Sequence, residues 1–258
     1  MILIFIGFPV AFSLFGVAVL FGYIRFGDVL VHQLIAKVDD VASYYVLSAV
    51  PLFIFMGCML EKSGVSEKLF EAVHLVTRKL PGGLAIATVV LCVFFAAASG
   101  VVGAAESVVG LMVISVMLRH GYDKGLISGT ICAGGSLGTI IPPSVVVVIL
   151  SPIAGVGVGN LFVGIMFPGL ILAGLYIVYI LLRCSIWPED GPSVDNGESY
   201  GSIASQTWVV FSSLVPLFGL IFSVLGTIML GWATPTEAGA MGAIAVSYTH
   251  LRAHETEE

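Results

Sequence analysis

The stretch GGSLGTIIPPS, Gly134–Ser144, sits inside a run from Gly125 to Leu182 that contains no Asp, Glu, Lys or Arg. Such a run is apolar enough for a bilayer, yet Pro142 and Pro143 donate no amide hydrogen, and Pro142 disfavours helical geometry at Ile141. The span from Gly125 to about Gly155 therefore reads as two half-helices joined by an unwound link. Backbone of that kind is tolerated at membrane depth only where it is buried in protein or lines a water-filled cavity.

The composition around this stretch agrees. Of the 258 residues, 58% are hydrophobic and 10% charged, against roughly 25% charged in an ordinary soluble domain, and the mean hydropathy is +1.09. The chain reads as an all-α polytopic membrane protein. At about 20 apolar residues per crossing, Met1–Tyr23, Tyr45–Leu60, Leu161–Leu182 and Trp208–Leu230 are spans. The total reads as about six to seven spanning segments plus a re-entrant helical hairpin and a broken helix. Met1–Tyr23 has no basic n-region and no small-residue cleavage site, so it reads as a retained helix. Cys58, Cys92, Cys132 and Cys184 lack zinc-ligand spacing and read as small hydrophobes. No transition-metal site and no basic surface for nucleic acid is expected.

From Glu61 to Leu80 apolar residues recur at helical spacing among charges, which predicts an amphipathic helix along the membrane surface with Ser66 as N-cap. Lys62, Lys68, Arg78 and Lys79 in this joint, and Arg119 and Lys124 in the RHGYDK joint, place both on the cytoplasmic side. The 38 residues between them, Pro81–Leu118, must cross an even number of times. Two short full helices or a re-entrant hairpin satisfy this, and the small, turn-prone centre AAASGVVGAAES favours the hairpin. GVGVGN makes an uncharged turn on the far side, and the polar loop after Leu182 is cytoplasmic. GWATPTEAG interrupts the chain again, and Ala238–Val246 is too short to span. The end, SYTHLRAHETEE, reads as a non-native tail, and His250 and His254 within it are not assigned to metal.

Hydrolysis or proton chemistry needs convergent ionisable groups. His32, His74 and His120 fall in joints, and the core serines have no histidine or lysine partner, so no catalytic residue is assigned. Glu106 is the sole charged residue between Pro81 and Leu118. It reads either as a vestibule or proton-carrying carboxylate, or as a side chain in a wet cleft at the hairpin mouth. A membrane enzyme using Glu106 is the weaker alternative. What the core offers is uncharged oxygen: Ser99 with the backbone near Gly100 and Gly103, and Gly135, Ser136, Gly138, Thr139 and the carbonyl before Pro142. Neutral ligands of this kind suit sodium, and broken helix ends near the midplane are a common way to build such sites. In the plainer reading the glycines only allow close packing and the prolines only kink. With no Lys or Arg in the core, a bound carboxylate would rely on backbone amides and helix N-termini.

Taken together, PLFIFMGCMLEKSG, SGVVGA, MLRHGYDKGLISGTICAGGSLGTIIPPS and ATPTEAGAMGA resemble the large membrane (permease) subunit of tripartite ATP-independent periplasmic (TRAP) transporters, the DctM-like family. The resemblance covers residues 1–246. It implies a first repeat at 1–183, a connecting loop at 184–207, the start of a second repeat at 208–246, and a tail at 247–258. It also implies the first half of an inverted-repeat, elevator-type ion-transporter fold in the bacterial inner membrane. The implied activity is sodium-coupled uptake of C4-dicarboxylate-like or other carboxylate solutes, delivered by a periplasmic solute-binding protein. A small four-helix membrane subunit is the implied partner, and Na+ is the coupling ion with no other cofactor. By position, Ser99 and Gly100, with Gly103 beside them, match the hairpin tip. Gly135, Ser136, Gly138, Thr139, Pro142, Pro143 and Ser144 match the unwound segment, and together the two would frame one sodium site. Thr234, Pro235, Thr236 and Glu237 match a motif taken as structural. The chain departs from the family pattern at Glu106, where a small or apolar residue is the rule, and at residue 247, so a truncated product is expected. A symporter of the same broad superfamily working without a binding protein is the alternative.

Overall fold

The structure, a computed structural model, describes residues 2–63, 65–100, 102–193, 215 and 217–255. It divides into two units, residues 1–45 and 46–258.

The first unit holds α1 (Ile2–Phe5), α2 (Val10–Phe26) and α3 (Val29–Ala42). The expected single span Met1–Tyr23 is broken at Gly7–Pro9. Pro9 has no amide hydrogen to continue the helix and disfavours helical geometry at Phe8, and Gly7 takes φ +99°. Gly27 turns the chain at φ +59°, and Gly22 lets Leu30 of α3 approach, a Cβ there falling 2.9 Å from Leu30 Cδ1. His32, expected in a joint, lies within α3. Most of α2 is exposed, Phe12 at 72% and Ile24 at 73%, as a helix facing hydrocarbon is.

In the second unit the first helix is α4 (Ala49–Lys62), followed by α5 (Val65–Thr77), α6 (Gly83–Ser99) and α7 (Val102–Arg119). The interrupted helix comes next as α8 (Lys124–Ser136), a 3-10 turn (Leu137–Thr139), an extended link and α9 (Val145–Ala154). Then α10 (Val158–Ile186) returns, and α11 (Pro235–Glu255) is the last helix. Ser66 lies inside the first turn of α5 rather than capping it, because the helix has already begun at Val65. Leu69, Phe70, Ala72 and Val73 are the buried stripe of α5, which packs on α6. α4 lies against α11 through small residues: a Cβ on Gly239 would sit 3.2 Å from Leu52 Cβ, and one on Gly242 2.5 Å from Met56 Sδ. That close approach is how membrane helices pack without a hydrophobic drive between them.

Tyr45–Lys62 and Val158–Ile186 are long and apolar enough to cross a membrane by length and composition, and Leu217–Met229 is a shorter apolar helix. A π-helical turn at Phe222–Gly226 interrupts what reads from sequence as a clean span. The polar loop expected at 184–207 and the start of the span expected at Trp208 lie mostly outside the described residues. α11 runs through Ser247 to Glu255 without a break, since SYTHLRAHE carries neither Gly nor Pro.

Candidate functional site: the hairpin tip and the interrupted helix

Three joints, distant in sequence, are tied together at the base of the second unit. The Gly82 amide donates to the Gly191 carbonyl at 2.9 Å and the Asp123 amide to the Asp190 carbonyl at 3.0 Å. The Tyr122 hydroxyl accepts the amide of Leu84 at 3.2 Å, satisfying a first-turn donor of α6 that has no intrahelical partner. Arg183 Nε donates to Asp190 Oδ2 at 2.9 Å, and its guanidinium lies 3.7 Å from Asp123 Oδ1. Asp123 also caps α8, its Oδ1 accepting from the Leu126 amide at 3.0 Å. Burial pushes the Tyr122 phenol up to about 12.

From this base α6 and α7 rise as a helical hairpin. The positions expected at its tip are there: Ser99 ends α6, Gly100 follows in the left-handed region at φ +63°, and Gly103 lies in the first turn of α7. The surroundings of the Ser99 and Gly103 side positions lie outside the described residues. Gly100 is required twice, by its φ and by its neighbour, because a Cβ on it would run into the carbonyl oxygen of Pro143. The hairpin tip is therefore seated on the extended link between α8 and α9.

That link follows from its residues. Pro142 and Pro143, joined by a cis peptide, leave the Gly138 and Thr139 carbonyls without the donors four residues on that a continuous helix would supply. The Ser136 hydroxyl donates to the Ala133 carbonyl at 2.7 Å and the Thr139 hydroxyl to the Ser136 carbonyl at 2.8 Å. With their protons committed, both oxygens keep lone pairs for a cation. Ser144 Oγ is buried with no hydrogen-bond partner, and the residue is 0% exposed. An unsatisfied buried hydroxyl costs about 1–3 kcal/mol, and a bound cation would relieve it. Gly135 and Gly138 are buried in the approach to the link.

The glycines also fix the helix contacts. A Cβ on Gly134 would fall 2.7 Å from Cys92 Sγ of α6, and one on Gly110 of α7 lies 3.6 Å from Ile131 of α8. A Cβ on Gly135 would overlap the side chain of Glu106. The pairs Gly110 with Ile131 and Glu106 with Gly135 step four residues along antiparallel helices. Glu106, for which sequence left a vestibule or a wet cleft open, lies on the α7–α8 interface. Thr234 and Glu237 form a capping box at the start of α11, the Thr234 amide and hydroxyl each donating to Glu237 Oε2 at 2.8 Å. This agrees with the structural role read for that motif. Sequence reasoning missed the Asp123 cap, although an Asp before an apolar helical run is a start signal, and it missed the ties at the base, which have no local signature. Among the described residues no group of three or more His, Cys, Asp or Glu could hold a metal ion.

Comparison with known proteins agrees with the motif resemblance. Residues 1–252 match the DctM component of the tripartite ATP-independent periplasmic transporter. The chain is 34% identical over 242 residues, 93% of its length and 51% of the relative's, to the C4-dicarboxylate TRAP transporter large permease protein of Vibrio cholerae. It is 33% identical to the C4-dicarboxylate large permease protein of Pseudomonas aeruginosa, over 86% of the chain and 50% of the relative. It is 28% identical to the ectoine TRAP transporter large permease protein of Halomonas elongata, over 92% and 54%. The chain thus spans about half the length of the curated relatives it matches. An all-helical, apolar chain with this match over nearly its whole length belongs to the DctM component family of tripartite ATP-independent periplasmic transporters.

Proposed function

We propose that this chain is the part of a TRAP large permease that holds one sodium site, and that the complete protein couples inward sodium movement to uptake of a small carboxylate solute. The observation that carries the reading is the seating of Gly100 on the Pro143 carbonyl beside the buried, unpartnered hydroxyl of Ser144. Ser136, Thr139, Ser144 and the carbonyls freed by Pro142 and Pro143 are neutral oxygen ligands, the type that suits a hard monovalent cation. When bound, the cation supplies positive charge between the tip and the link and so favours their closed contact. The hairpin reads as re-entrant from the cytoplasmic side: α6, 17 residues, is about 26 Å long, whereas α10, 29 residues, is about 44 Å long.

In the same reading the protein is a multi-pass component of the bacterial inner membrane. It works as an elevator with a second, inverted repeat, a small four-helix subunit and a periplasmic solute-binding protein. The names of the relatives point to C4-dicarboxylates first. The test is reconstitution of the full-length permease with its small subunit and binding protein. Dicarboxylate uptake driven by an inward sodium gradient is expected, and uptake indifferent to that gradient overturns the proposal.

A further inference from the structure

Glu106 is placed where only Gly135 can admit it. Its Cγ and Oε1 occupy the notch that any Cβ at position 135 would fill, on the face between α7 and α8. Gly135 immediately precedes Ser136 and is four residues, about 6 Å of helix, from Thr139, so the carboxylate lies within about one helical turn of the Ser136 and Thr139 oxygens. On α6 the ionisable neighbour is the Cys92 thiol, seated against Gly134. On the α8 to α10 side nothing from Gly125 to Leu182 is charged, and among the described residues no Lys or Arg pairs with Glu106. A half-buried acid on a helix interface with no fixed cation is stabilised by a mobile one. An independent observation points to the same occupant: Ser144 Oγ, buried and without a partner where the tip meets the link.

We infer that Glu106 supplies a fixed negative charge to the cation site of the hairpin tip and interrupted helix and raises its affinity for sodium. This role rests on the site proposed above. At about 6 Å and an effective dielectric constant of about 20, the attraction is worth about two decades in binding constant. Sodium with Glu106 would then form a net-neutral unit at the α7–α8 interface, which a site of neutral ligands alone does not achieve.

The test uses the purified chain in lipid nanodiscs, with thermal unfolding followed as sodium replaces potassium at constant ionic strength. Wild type is expected to unfold at rising temperature as sodium increases. The isosteric Glu106→Gln is expected to keep its sodium-free stability and to raise the sodium Kd by about 10- to 100-fold. Gly135→Ala, which evicts the side chain, is expected to lose stability. Pairing it with Glu106→Ala is expected to restore the stability but not the sodium response. A purely packing role predicts the reverse: unchanged sodium Kd in Glu106→Gln, or wild-type affinity in the double variant, and either overturns the inference. Wild type without a sodium response overturns the site itself and this role with it, an outcome distinct from one in which wild type and Glu106→Gln bind sodium equally well.

Discussion

Gly100 and Gly155 allow the contact between hairpin tip and link to be weighed by itself. Both follow the last turn of a helix, α6 and α9, and both lie in the left-handed region, at φ +63° and +65°. A Cβ on Gly155 meets nothing within 4 Å, whereas one on Gly100 meets the Pro143 carbonyl. Alanine in the left-handed region costs about 1–2 kcal/mol, which is the whole expected loss for Gly155→Ala. Gly100→Ala adds the displacement of a packed backbone, about 1–3 kcal/mol by analogy with overpacked cores. At about 2–4 °C per kcal/mol for a chain of this size, midpoints of about 1.5 and 3.5 kcal/mol correspond to losses of about 3–6 °C and 7–14 °C. Tryptophan fluorescence during thermal unfolding in nanodiscs reads both. Equal losses in the two variants would show that the tip does not rest on the link, and the site built on that contact would fall.

Three further outcomes are expected. Tyr122→Phe leaves the Leu84 amide buried without an acceptor and should cost about 1–3 kcal/mol. Because the folded Tyr122 holds its proton to about 12, above the ordinary phenol value of about 10, its contribution is intact below pH ~10 and is lost as pH rises toward 12; thermal unfolding in that window should show the decline in wild type and its absence in the variant. His74, stacked on Phe70 with ring centroids 6.1 Å apart, is held below the usual histidine range by burial first, then by His120 and Arg78. Its contribution is therefore present above pH ~6.5 and lost as pH falls further, so His74→Gln should flatten the acid-side loss of thermal stability, and an unchanged slope would count against the placement. Hydrogen bonds from the Thr234 amide and hydroxyl hold the Glu237 carboxyl below the ordinary range, so the capping box supports α11 above that range and weakens as pH falls through it; Thr234→Val, which removes the hydroxyl and keeps the amide donor, should lower the unfolding temperature at pH 7 and reduce that dependence.

The parts of this fold that sequence discloses are those governed by one residue's own chemistry. The adjacent Pro142 and Pro143 remove two successive amide donors from the middle of an apolar run, and the small residues around Gly100 turn the chain, so both halves of the candidate site are legible in the sequence. Apolar length misleads at the N-terminus, where Pro9 ends a helix inside a run greasy enough to read as one span. It also hides α3, whose polar residues look like a joint although Val29–Ala42 is helical. The pairs Gly82 with Gly191 and Asp123 with Asp190 are invisible for another reason. Backbone hydrogen bonds across such separations leave no pattern in residue type. The notch for Glu106 is half visible: an acid in an apolar run is conspicuous, but only the packing shows that a glycine on another helix receives it.

Why the tip meets the link, and not the middle of α8, follows from residue counts between punctuation marks. Gly82 opens α6 and Gly100 closes it, setting 17 helical residues, about 26 Å, above the base. Asp123 opens α8, whose 13 residues give about 20 Å, and the three residues of the 3-10 turn add about 6 Å, again about 26 Å. The two elements start level because Tyr122 and Leu84 are hydrogen-bonded, so they end level, and the chain breaks at the height where the hairpin turns. Beyond that height α9 supplies about 15 Å more, close to the full length of α10. One residue inserted into α8 would raise the link by only about 1.5 Å but would rotate it about 100°, turning Gly134 and Gly135 away from Cys92 and Glu106. Placement of the oxygens at the tip thus depends on two counts and one shared base, and the glycines are the positions at which the two helices can be read against each other.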